Sequence, residues 1–317
     1  MLARRRFHNR TSLESADKLF VAGRYLNGTT PNRTHLLRYN ISDWSLDTSI
    51  QYGSEANYAY SIADDSSKVY VGTNVTDFVR TILKSDFSQG SIAANTNFGY
   101  RVAVDDNYIY TAYSSYVYVY NKSTGAFVTS LIAADYSLGS SYSLCVDDSY
   151  VYVGGAFGQR FTVFRKSDWA EITGTPTFNN RVNAIASDGT YVYIGGQFTG
   201  GFKVMNRSTM TLLTTSISIA TVNGIAIDND RVYLTGSFTG TNRSRVAVLS
   251  KSDFNTVITN VTGLSTTGVG IDVCDRYLYL ATAGSIVVKD KNRLHENVTT
   301  ITLSGSPEIN FIKAVSV

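Results

Sequence analysis

Short apolar segments centred on an aromatic residue recur along the whole chain, with polar residues between them. In each segment hydrophobic side chains flank the aromatic residue and a small residue follows, a pattern that favours a short β-strand. The seven segments cover residues 19–23, 69–72, 109–112, 151–155, 192–196, 232–236 and 278–281. Their central aromatics lie about 40 to 50 residues apart, a spacing typical of a repeated unit of four short strands.

The fifth repeat shows the four strands most clearly. It divides into strands over residues 182–186, 191–195, 202–205 and 212–216, with polar turns between them. The same order of strands and turns runs through the other repeats. The sequence therefore predicts an all-β chain that forms a seven-bladed β-propeller of four-stranded antiparallel blades.

The two ends of the chain predict how the ring of blades closes. The first repeat lacks an innermost strand before Asp17, and residues 312–316 resemble residues 182–186, the innermost strand of repeat five. We expect the C-terminal strand to join blade one, because a closed ring leaves no long open strand edge. These limits indicate a basic N-terminal segment at residues 1–16 and a single propeller domain at residues 17–317.

Two kinds of turn recur between the strands. The first is acidic, as at residues 105–107, and we interpret its Asp residues as turn chemistry rather than calcium ligands, because Asx side chains satisfy local backbone groups. The second has the pattern Ser-Asp-Trp, as at residues 167–169. We expect its third residue, which includes Trp44 and Trp169, to pack between blades rather than to serve as a ligand platform.

Three repeats carry a glycine and phenylalanine motif after the central aromatic, at residues 154–157, 195–199 and 236–239. This motif resembles the Gly-Gly-x-Phe-Thr pattern of bacterial propeller-repeat proteins, most of which are surface or secreted proteins. The architecture is similar to kelch, NHL and quinoprotein propellers, although repeats two, three and seven depart from the motif. The resemblance implies the fold and not an activity, because propellers include enzymes, adhesins and scaffolds.

Composition and charge exclude several classes of function. The chain has 28 Lys and Arg against 25 Asp and Glu, and its net charge of +3 is spread along the sequence, so we expect no nucleic-acid partner. The absence of a long apolar run predicts no membrane insertion. Three histidines and two distant cysteines, Cys145 and Cys274, offer no metal-ligand spacing and no expected disulfide, and no phosphate-binding or nucleophile motif occurs. We expect no metal and no cofactor, and we favour a binding protein over an enzyme.

Two charged residues interrupt the small residues of the innermost strands. Asp272 replaces Ala or Cys in repeat seven, and Arg101 replaces a small residue in repeat three. Because blades three and seven lie on opposite sides of a seven-membered ring, both groups are expected to line a central channel and to hold an ion, waters or a small polar ligand. The alternative is that each charge is solvated or neutralised by a neighbour, since an unpaired buried charge is costly.

The loops that link blades, and those between second and third strands, predict a binding face rich in Tyr and Arg, residue types that are enriched in protein interfaces and that stack on sugars. The candidate ligand-binding residues are Arg24, Tyr25, Arg33, His35, Tyr58, Tyr60, Phe98, Tyr100, Arg101, Tyr136, Tyr142 and Asp272. Phe178 and Arg181 lie in the same linking loops. The alternative, packing within the repeat, is favoured for Phe157, Phe198, Phe238 and Tyr25.

Asn-x-Ser/Thr sequons are more frequent than composition alone predicts. The glycosylation candidates are Asn27, Asn32, Asn40, Asn74, Asn121, Asn206, Asn242, Asn260 and Asn297, and Asn9 forms a further sequon in the N-terminal segment. Asn40, Asn121 and Asn206 share one repeat position, so duplication and turn chemistry explain part of the surplus. Glycosylation would place the protein on an extracellular surface or a virion, although the sequence shows no secretory signal peptide.

These observations lead to three hypotheses about function. The leading one is a non-enzymatic binding or adhesion module on a virion or cell surface that recognises a glycan or a protein through one propeller face. The second is a structural subunit of a virion or surface assembly, with the basic segment 1–10 docked to another subunit. The third is an enzyme that uses Asp272 in the central channel.

Overall fold

A computed structural model describes most of the chain, and all regular elements of the described part are β-strands. The described residues are 16–24, 26, 35–52, 58–74, 79–92, 100–114, 116–132, 141–213, 215, 217, 219–238, 246–261, 270–304 and 307–317. The described part contains no helix long and apolar enough to cross a membrane.

The strands follow one another in seven groups along the chain. The first three groups are β1 (Lys18–Arg24), β2 (Leu36–Asn40) and β3 (Leu46–Ile50); β4 (Ala59–Asp64), β5 (Lys68–Thr73), β6 (Val79–Leu83) and β7 (Gln89–Ile92); and β8 (Arg101–Val104), β9 (Tyr108–Tyr113), β10 (Tyr116–Asn121) and β11 (Phe127–Leu131). The next two are β12 (Ser141–Val146), β13 (Tyr150–Gly155) and β14 (Phe161–Arg165); and β15 (Val182–Ser187), β16 (Tyr191–Gly196), β17 (Phe202–Asn206) and β18 (Thr211–Leu212). The last two are β19 (Thr221–Ile227), β20 (Arg231–Ser237), β21 (Val246–Ser250) and β22 (Val257–Val261); and β23 (Gly270–Val273), β24 (Tyr277–Thr282), β25 (Ser285–Asp290) and β26 (Asn297–Thr302), followed by β27 (Glu308–Val315).

Each group forms one antiparallel blade, which confirms the predicted seven-bladed propeller. Two outer edges are shorter than predicted. Blade four has a single bridge between Phe164 and Glu171 in place of a fourth strand, and its Ile172 amide donates to the Val163 carbonyl at 2.8 Å. In blade five the fourth strand is limited to Thr211–Leu212. Outer strands bury little surface, so their length is set weakly by the hydrophobic pattern.

The ring closes as predicted, because β27 pairs with β1 as the innermost strand of blade one. The register runs from Lys18 opposite Val315 to Arg24 opposite Glu308. Gly23 is required at this contact, since a Cβ atom there would lie 2.1 Å from the Glu308 carbonyl oxygen. The equivalent contact in blade five is between Gly196 and the Arg181 carbonyl. Close backbone approach therefore explains the recurrent glycine after the central aromatics.

The turns between third and fourth strands place a large side chain in the left-handed region of backbone conformation. The positive φ angles are 62° at Trp44, 60° at Phe87, 60° at Trp169, 56° at Met210 and 58° at Phe254. This conformation costs about 1 kcal/mol for a residue other than glycine. Packing across the blade boundary offsets it: Trp44 contacts Tyr277 of blade seven and Trp169 contacts Tyr108 of blade three, each with ring centroids 5.2 Å apart. The expectation that both tryptophans pack between blades is confirmed.

A buried or largely buried carboxylate joins neighbouring blades at five of the seven boundaries. In each case the Asp of the first turn accepts a hydrogen bond of 2.7 to 2.9 Å from the hydroxyl of the central Tyr and pairs with a cation of the next blade. The triads are Asp65, Tyr70 and Lys122; Asp105, Tyr110 and Lys166; Asp147, Tyr152 and Arg207; Asp188, Tyr193 and Lys251; and Asp228, Tyr233 and Lys291. The turn chemistry predicted for these acids is present as well, since Asp105 Oδ1 accepts from the amides of Asn107 and Tyr108.

The boundaries on either side of blade one lack this triad. Between blades seven and one, Cys274 and Ile41 replace the Asp and the cation, and both are buried in one apolar cluster. Between blades one and two, Lys84 Nζ donates to the Ser316 carbonyl at 2.7 Å, and Phe20 replaces the tyrosine. A phenol in place of Phe20 would bury a hydroxyl without an Asp acceptor, which explains the phenylalanine, whereas the Tyr279 hydroxyl of blade seven has Cys274 Sγ at 3.5 Å. Both cysteines are buried and free, and they belong to different apolar clusters.

The triads predict that the protein loses stability in acid. Burial alone would raise the pKa of these carboxyls, but hydrogen bonds from the cation, the tyrosine hydroxyl and the turn amides outweigh it, and the pKa values of Asp105, Asp147, Asp188 and Asp228 lie below 3.8. A carboxyl with a lowered folded-state pKa stabilises the fold above its unfolded pKa and loses that contribution as the pH falls. The midpoint of urea unfolding should therefore be constant between about pH 5 and pH 7 and should fall below about pH 4. A midpoint unchanged down to pH 3 would contradict this.

Removal of one triad carboxylate should destabilise the protein much more than removal of the Cys274 side chain, which takes the place of the Asp at the boundary between blades seven and one. Asp188→Ala leaves the Lys251 ammonium and the Tyr193 hydroxyl without their acceptor and should lower the free energy of unfolding by about 3 kcal/mol. Cys274→Ala is the matched control and should cost about 1 kcal/mol, because it removes one buried sulfur and the weak contact of 3.5 Å that this sulfur makes with the Tyr279 hydroxyl, and no charge. Urea unfolding measures both, and equal losses would show that the triad contributes no special stability.

Candidate functional site

The propeller has two faces of different character. Because strands alternate in direction, all turns between first and second strands and between third and fourth strands lie on one face, here called the turn face. The connections between second and third strands, and those between blades, lie on the other, here called the loop face. The innermost strands surround a central cavity of about 220 Å³ that includes Arg101, Tyr142, Asn183, Asn223, Asp272, Asn310 and Lys313 in its wall.

The innermost strands carry a register shift close to the loop face. The shift leaves one residue out of the ladder in blades one, two, four, five and six, ten positions before the central aromatic in the last four. These residues are Asn310, Tyr60, Tyr142, Asn183 and Asn223, and Tyr100 occupies the same position in blade three. One half of the channel mouth therefore carries amides and the other half carries tyrosines. β-Bulges commonly redirect side chains at functional sites.

The amides of this position connect neighbouring blades. Asn183 Nδ2 donates to the Val222 carbonyl, and Asn310 Nδ2 donates to the Ala59 carbonyl, each at 3.0 Å. Asp272 makes a similar link between blades seven and one, because its Oδ2 accepts from the Ala314 amide at 2.7 Å. The Asp272 side chain therefore lines the channel as expected, and it also satisfies a backbone group of the next blade.

Arg101 connects the tyrosine half of the mouth. Its Nε donates to the Tyr142 carbonyl at 2.6 Å and its Nη1 donates to the Tyr60 carbonyl at 2.8 Å, so the side chain spans blades two, three and four. Burial lowers the pKa of this guanidinium to about 10, partly offset by Tyr60 and Tyr142. No carboxylate of the described residues lies within ion-pair distance of Arg101. Arg101 and Asp272 line the same cavity but each is bound to backbone groups.

Four tyrosines on the loop face form a continuous series, here called the tyrosine row: Tyr58, Tyr60, Tyr100 and Tyr113. The ring centroids lie 5.3 Å apart between Tyr58 and Tyr60, 4.4 Å between Tyr60 and Tyr100, and 4.9 Å between Tyr100 and Tyr113. The Arg24 guanidinium lies over the Tyr58 ring at 4.5 Å and donates to its hydroxyl. All four tyrosines are only partly buried. The structure thus unites four candidates, Arg24, Tyr58, Tyr60 and Tyr100, in one surface.

The hydroxyls of Tyr60 and Tyr100 stay protonated at neutral pH. Burial, with a contribution from the neighbouring Tyr100 and Tyr58, raises the pKa of Tyr60 to about 12. Burial and Tyr113 also raise the pKa of Tyr100. A neutral phenol both donates and accepts a hydrogen bond, and its ring offers an apolar face. The row therefore suits a ligand that combines apolar faces with polar groups.

Two residues of this surface were not in the list of candidate ligand-binding residues, although the sequence placed Arg181 in the same linking loops. Tyr113 ends β9 at the position where four other repeats have the recurrent glycine and two have threonine, and that exchange is the signal that could have identified it. Arg181 precedes β15, and its guanidinium lies 5.4 Å from the Tyr142 ring centroid. Its Nε is buried and has no hydrogen-bond partner among the described residues. The surface therefore extends from Arg24 in blade one to Arg181 in blade five.

His35 does not lie at this surface. Its side chain is fully buried, and its Nδ1 accepts a hydrogen bond of 2.9 Å from the Tyr52 amide. The histidine therefore supports the beginning of β2 from within blade one, and we do not include it in the site. Phe178 is similarly buried against Phe198. Four further candidates, Tyr25, Arg33, Phe98 and Tyr136, lie outside the described residues.

The sequons occupy several environments. Asn121 Oδ1 and Asn206 Oδ1 accept hydrogen bonds from amides of their own turns, at 3.0 Å from Ser123 and 2.9 Å from Ser208. This supports turn chemistry as one reason for the recurrent asparagine. Asn40 contacts Ser45, Asn74 accepts from the Tyr58 amide, Asn260 belongs to β22 and Asn297 is exposed. Asn27, Asn32 and Asn242 lie outside the described residues, and glycosylation stays a prediction.

Comparison with known proteins identifies the fold. No sequence-family model matches the chain, and no curated protein matches it. Among solved structures, the computationally designed protein Ika8 is similar with a TM-score of 0.66, 14% identity, and coverage of 94% of this chain and 98% of that chain. The Pan2 WD40 domain of Neurospora crassa has a TM-score of 0.57 and 14% identity, covering 78% and 79%. A chain of the Mitotic Checkpoint Complex has a TM-score of 0.66 and 16% identity, covering 89% and 91%.

Proposed function

We propose that the protein is a non-enzymatic binding module that recognises a polypeptide or glycan through its loop face. The observation that carries this proposal is the tyrosine row with Arg24, a partly exposed surface of four contacting aromatic rings across blades two and three. Tyr and Arg are enriched at binding hot spots because they combine large contact areas with hydrogen bonds. The arrangement is rigid as well, since Tyr60 lies in the innermost strand β4 and Tyr113 in the second strand β9, and a rigid surface loses little entropy on binding.

The similarity to propellers of larger assemblies supports a macromolecular ligand. The name of the Mitotic Checkpoint Complex describes a protein assembly, and a chain of it shares this fold. Fold similarity at this level does not transfer a ligand, so the chemistry of the face carries the proposal. That chemistry lies in side chains that depart from the repeat, which is the expected place for a binding function.

We also propose that the protein is displayed outside the cytoplasm, on a cell surface or a virion. The surplus of sequons supports this location, and exposed Asn297 is an accessible acceptor. The intact mass of the protein from its native source should exceed the 34.7 kDa of the bare chain in hexose-sized steps. A mass equal to that of the bare chain would overturn the glycoprotein assignment. A structural subunit remains the alternative, for which deletion of residues 1–10 should abolish assembly.

The binding face is tested by selection followed by substitution. Ligands are selected with the intact protein from a random peptide display library and from a glycan array. Tyr100→Ala and Arg24→Ala should each weaken binding of the selected ligands at least tenfold, because each removes a side chain of the proposed contact surface. The change in affinity is measured by interferometry with each variant immobilised.

Two exposed residues elsewhere give matched controls. Phe127 lies on an outer strand, where 47% of it is exposed, and Arg276 lies in the turn between β23 and β24 on the turn face. Phe127→Ala and Arg276→Ala should leave the affinity unchanged. The proposed face is wrong if the selected ligands bind all four variants equally well, provided that thermal unfolding shows each variant to be folded.

A further inference from the structure

Two guanidinium groups flank one tyrosine at the mouth of the central channel. Arg101 donates to the Tyr142 carbonyl, and Arg181 lies against the Tyr142 ring from the side of blade five. Arg101 also donates to the carbonyl of Tyr60, which belongs to the tyrosine row. The two cations are therefore continuous with the proposed binding face.

Neither guanidinium has a carboxylate partner among the described residues. Two hydrogen bonds of Arg101 go to uncharged carbonyls, which leaves three of its five N–H groups for another acceptor. Arg181 Nε is buried and has no hydrogen-bond partner within the described part of the chain. Buried donors without acceptors are costly, and charged donors more so, which makes this pair a site for an added acceptor.

The charge at the channel supports an anionic ligand. The charged groups in the described wall of the cavity are Arg101, Asp272 and Lys313, and Lys313 Nζ lies 4.0 Å from Asp64 Oδ1, which leaves Arg101 as the cation without a carboxylate. Asp272 is already an acceptor for the Ala314 amide, and Arg181 adds a positive charge beside Tyr142 of the cavity wall. Burial disfavours the charged form of Arg101, as its lowered pKa shows, and a bound carboxylate would offset that cost.

We propose that the channel mouth binds the side-chain carboxylate of an acidic polypeptide segment, held between Arg101 and Arg181. A planar guanidinium with free N–H groups binds a carboxylate with two parallel hydrogen bonds. The residues that flank the acidic side chain lie over Tyr142 on one side and over Tyr60 and Tyr100 on the other. The inference rests on the proposed function and names the chemistry of its ligand.

The geometry favours a polypeptide over a compact anion. The cavity of about 220 Å³ has room for one side chain and not for a folded partner. The aromatic surface continues from the mouth across several blades, which suits an extended chain that inserts one acidic side chain and lays its neighbours on the tyrosines. Asn223, which also lines the cavity, offers an amide to the peptide backbone.

The experiment compares fluorescein-labelled octapeptides of glutamate and of glutamine by fluorescence anisotropy with the full chain. The glutamate peptide should bind at least tenfold more tightly than the glutamine peptide, with affinity that falls as salt rises. Arg101→Lys and Arg181→Gln should each weaken binding of the glutamate peptide at least tenfold. Arg276→Gln is the matched control, because its side chain is 68% exposed on the turn face, and it should leave the affinity unchanged.

Arg101 also holds two backbone carbonyls, so Arg101→Lys is tested for folding by near-UV circular dichroism. Arg181→Gln keeps the proposal falsifiable if Arg101→Lys unfolds, because the Arg181 side chain makes no hydrogen bond in the described structure. Equal affinity for the two peptides would overturn the proposal. So would a loss with Arg276→Gln as large as that with Arg181→Gln, since binding would then depend on overall charge.

Two further probes separate this inference from the proposed function. A phosphoserine peptide or a carboxylated sugar that binds through both arginines, while the glutamate peptide does not, would overturn the assignment to an acidic polypeptide. If the selected ligands require Tyr100 and neither arginine, the binding face stands and the carboxylate site fails. If the glutamate peptide requires both arginines and Tyr100→Ala has no effect on any ligand, the carboxylate site stands and the tyrosine surface fails.

Discussion

Antiparallel pairing of β27 with β1 is the interaction on which the rest of the structure depends. The innermost strand of every blade packs between the innermost strands of its two neighbours, so an open ring would expose the sides of two blades at once. Closure joins residues that are almost the whole chain apart and requires the close approach at Gly23. Such a contact is slow to form, because the chain must lose the entropy of closing a long loop before the strand pairing stabilises it. It is nevertheless the contact that turns seven similar sheets into one rigid ring.

The same triad of Asp, Tyr and a cation stabilises most boundaries between blades and is absent from two. Five boundaries bury an Asp with its Tyr and a cation, and the acid is satisfied by hydrogen bonds in a way that lowers its pKa. The chain termini interrupt the first turn of blade one, and the triad is lost on both sides of that blade. Apolar contact of Cys274 with its cluster and the exchange of tyrosine for Phe20 compensate there. Phe20 has no hydroxyl to satisfy, whereas Tyr279 keeps its hydroxyl and pairs it with Cys274 Sγ at 3.5 Å in place of the missing carboxylate.

The candidate site arises from departures from the same repeat. Arg101, Tyr113 and the tyrosines at the channel mouth stand where other repeats have small residues, glycine or amides. The repeat supplies a stiff backbone, and the exchanged side chains occupy geometrically equivalent positions around the channel. Neighbouring exchanges in blades two, three and four therefore meet, and their positive and aromatic groups form one continuous surface. Specificity in such a fold depends on few residues, because the contacts common to all repeats already stabilise the scaffold.

The sequence by itself determined the blade number, the strand order, the ring closure and the interblade position of Trp44 and Trp169. These follow from local periodicity and from side-chain size, which are the same in every repeat. Several site residues were predicted as well, since Tyr60 and Tyr100 fall in the linking loops or beside them. Only the tertiary structure decided that they contact one another, that His35 is buried and that Arg181 belongs to the same surface. The reason is that loop conformation and cross-blade contacts depend on residues far apart in sequence, for which periodicity carries no information.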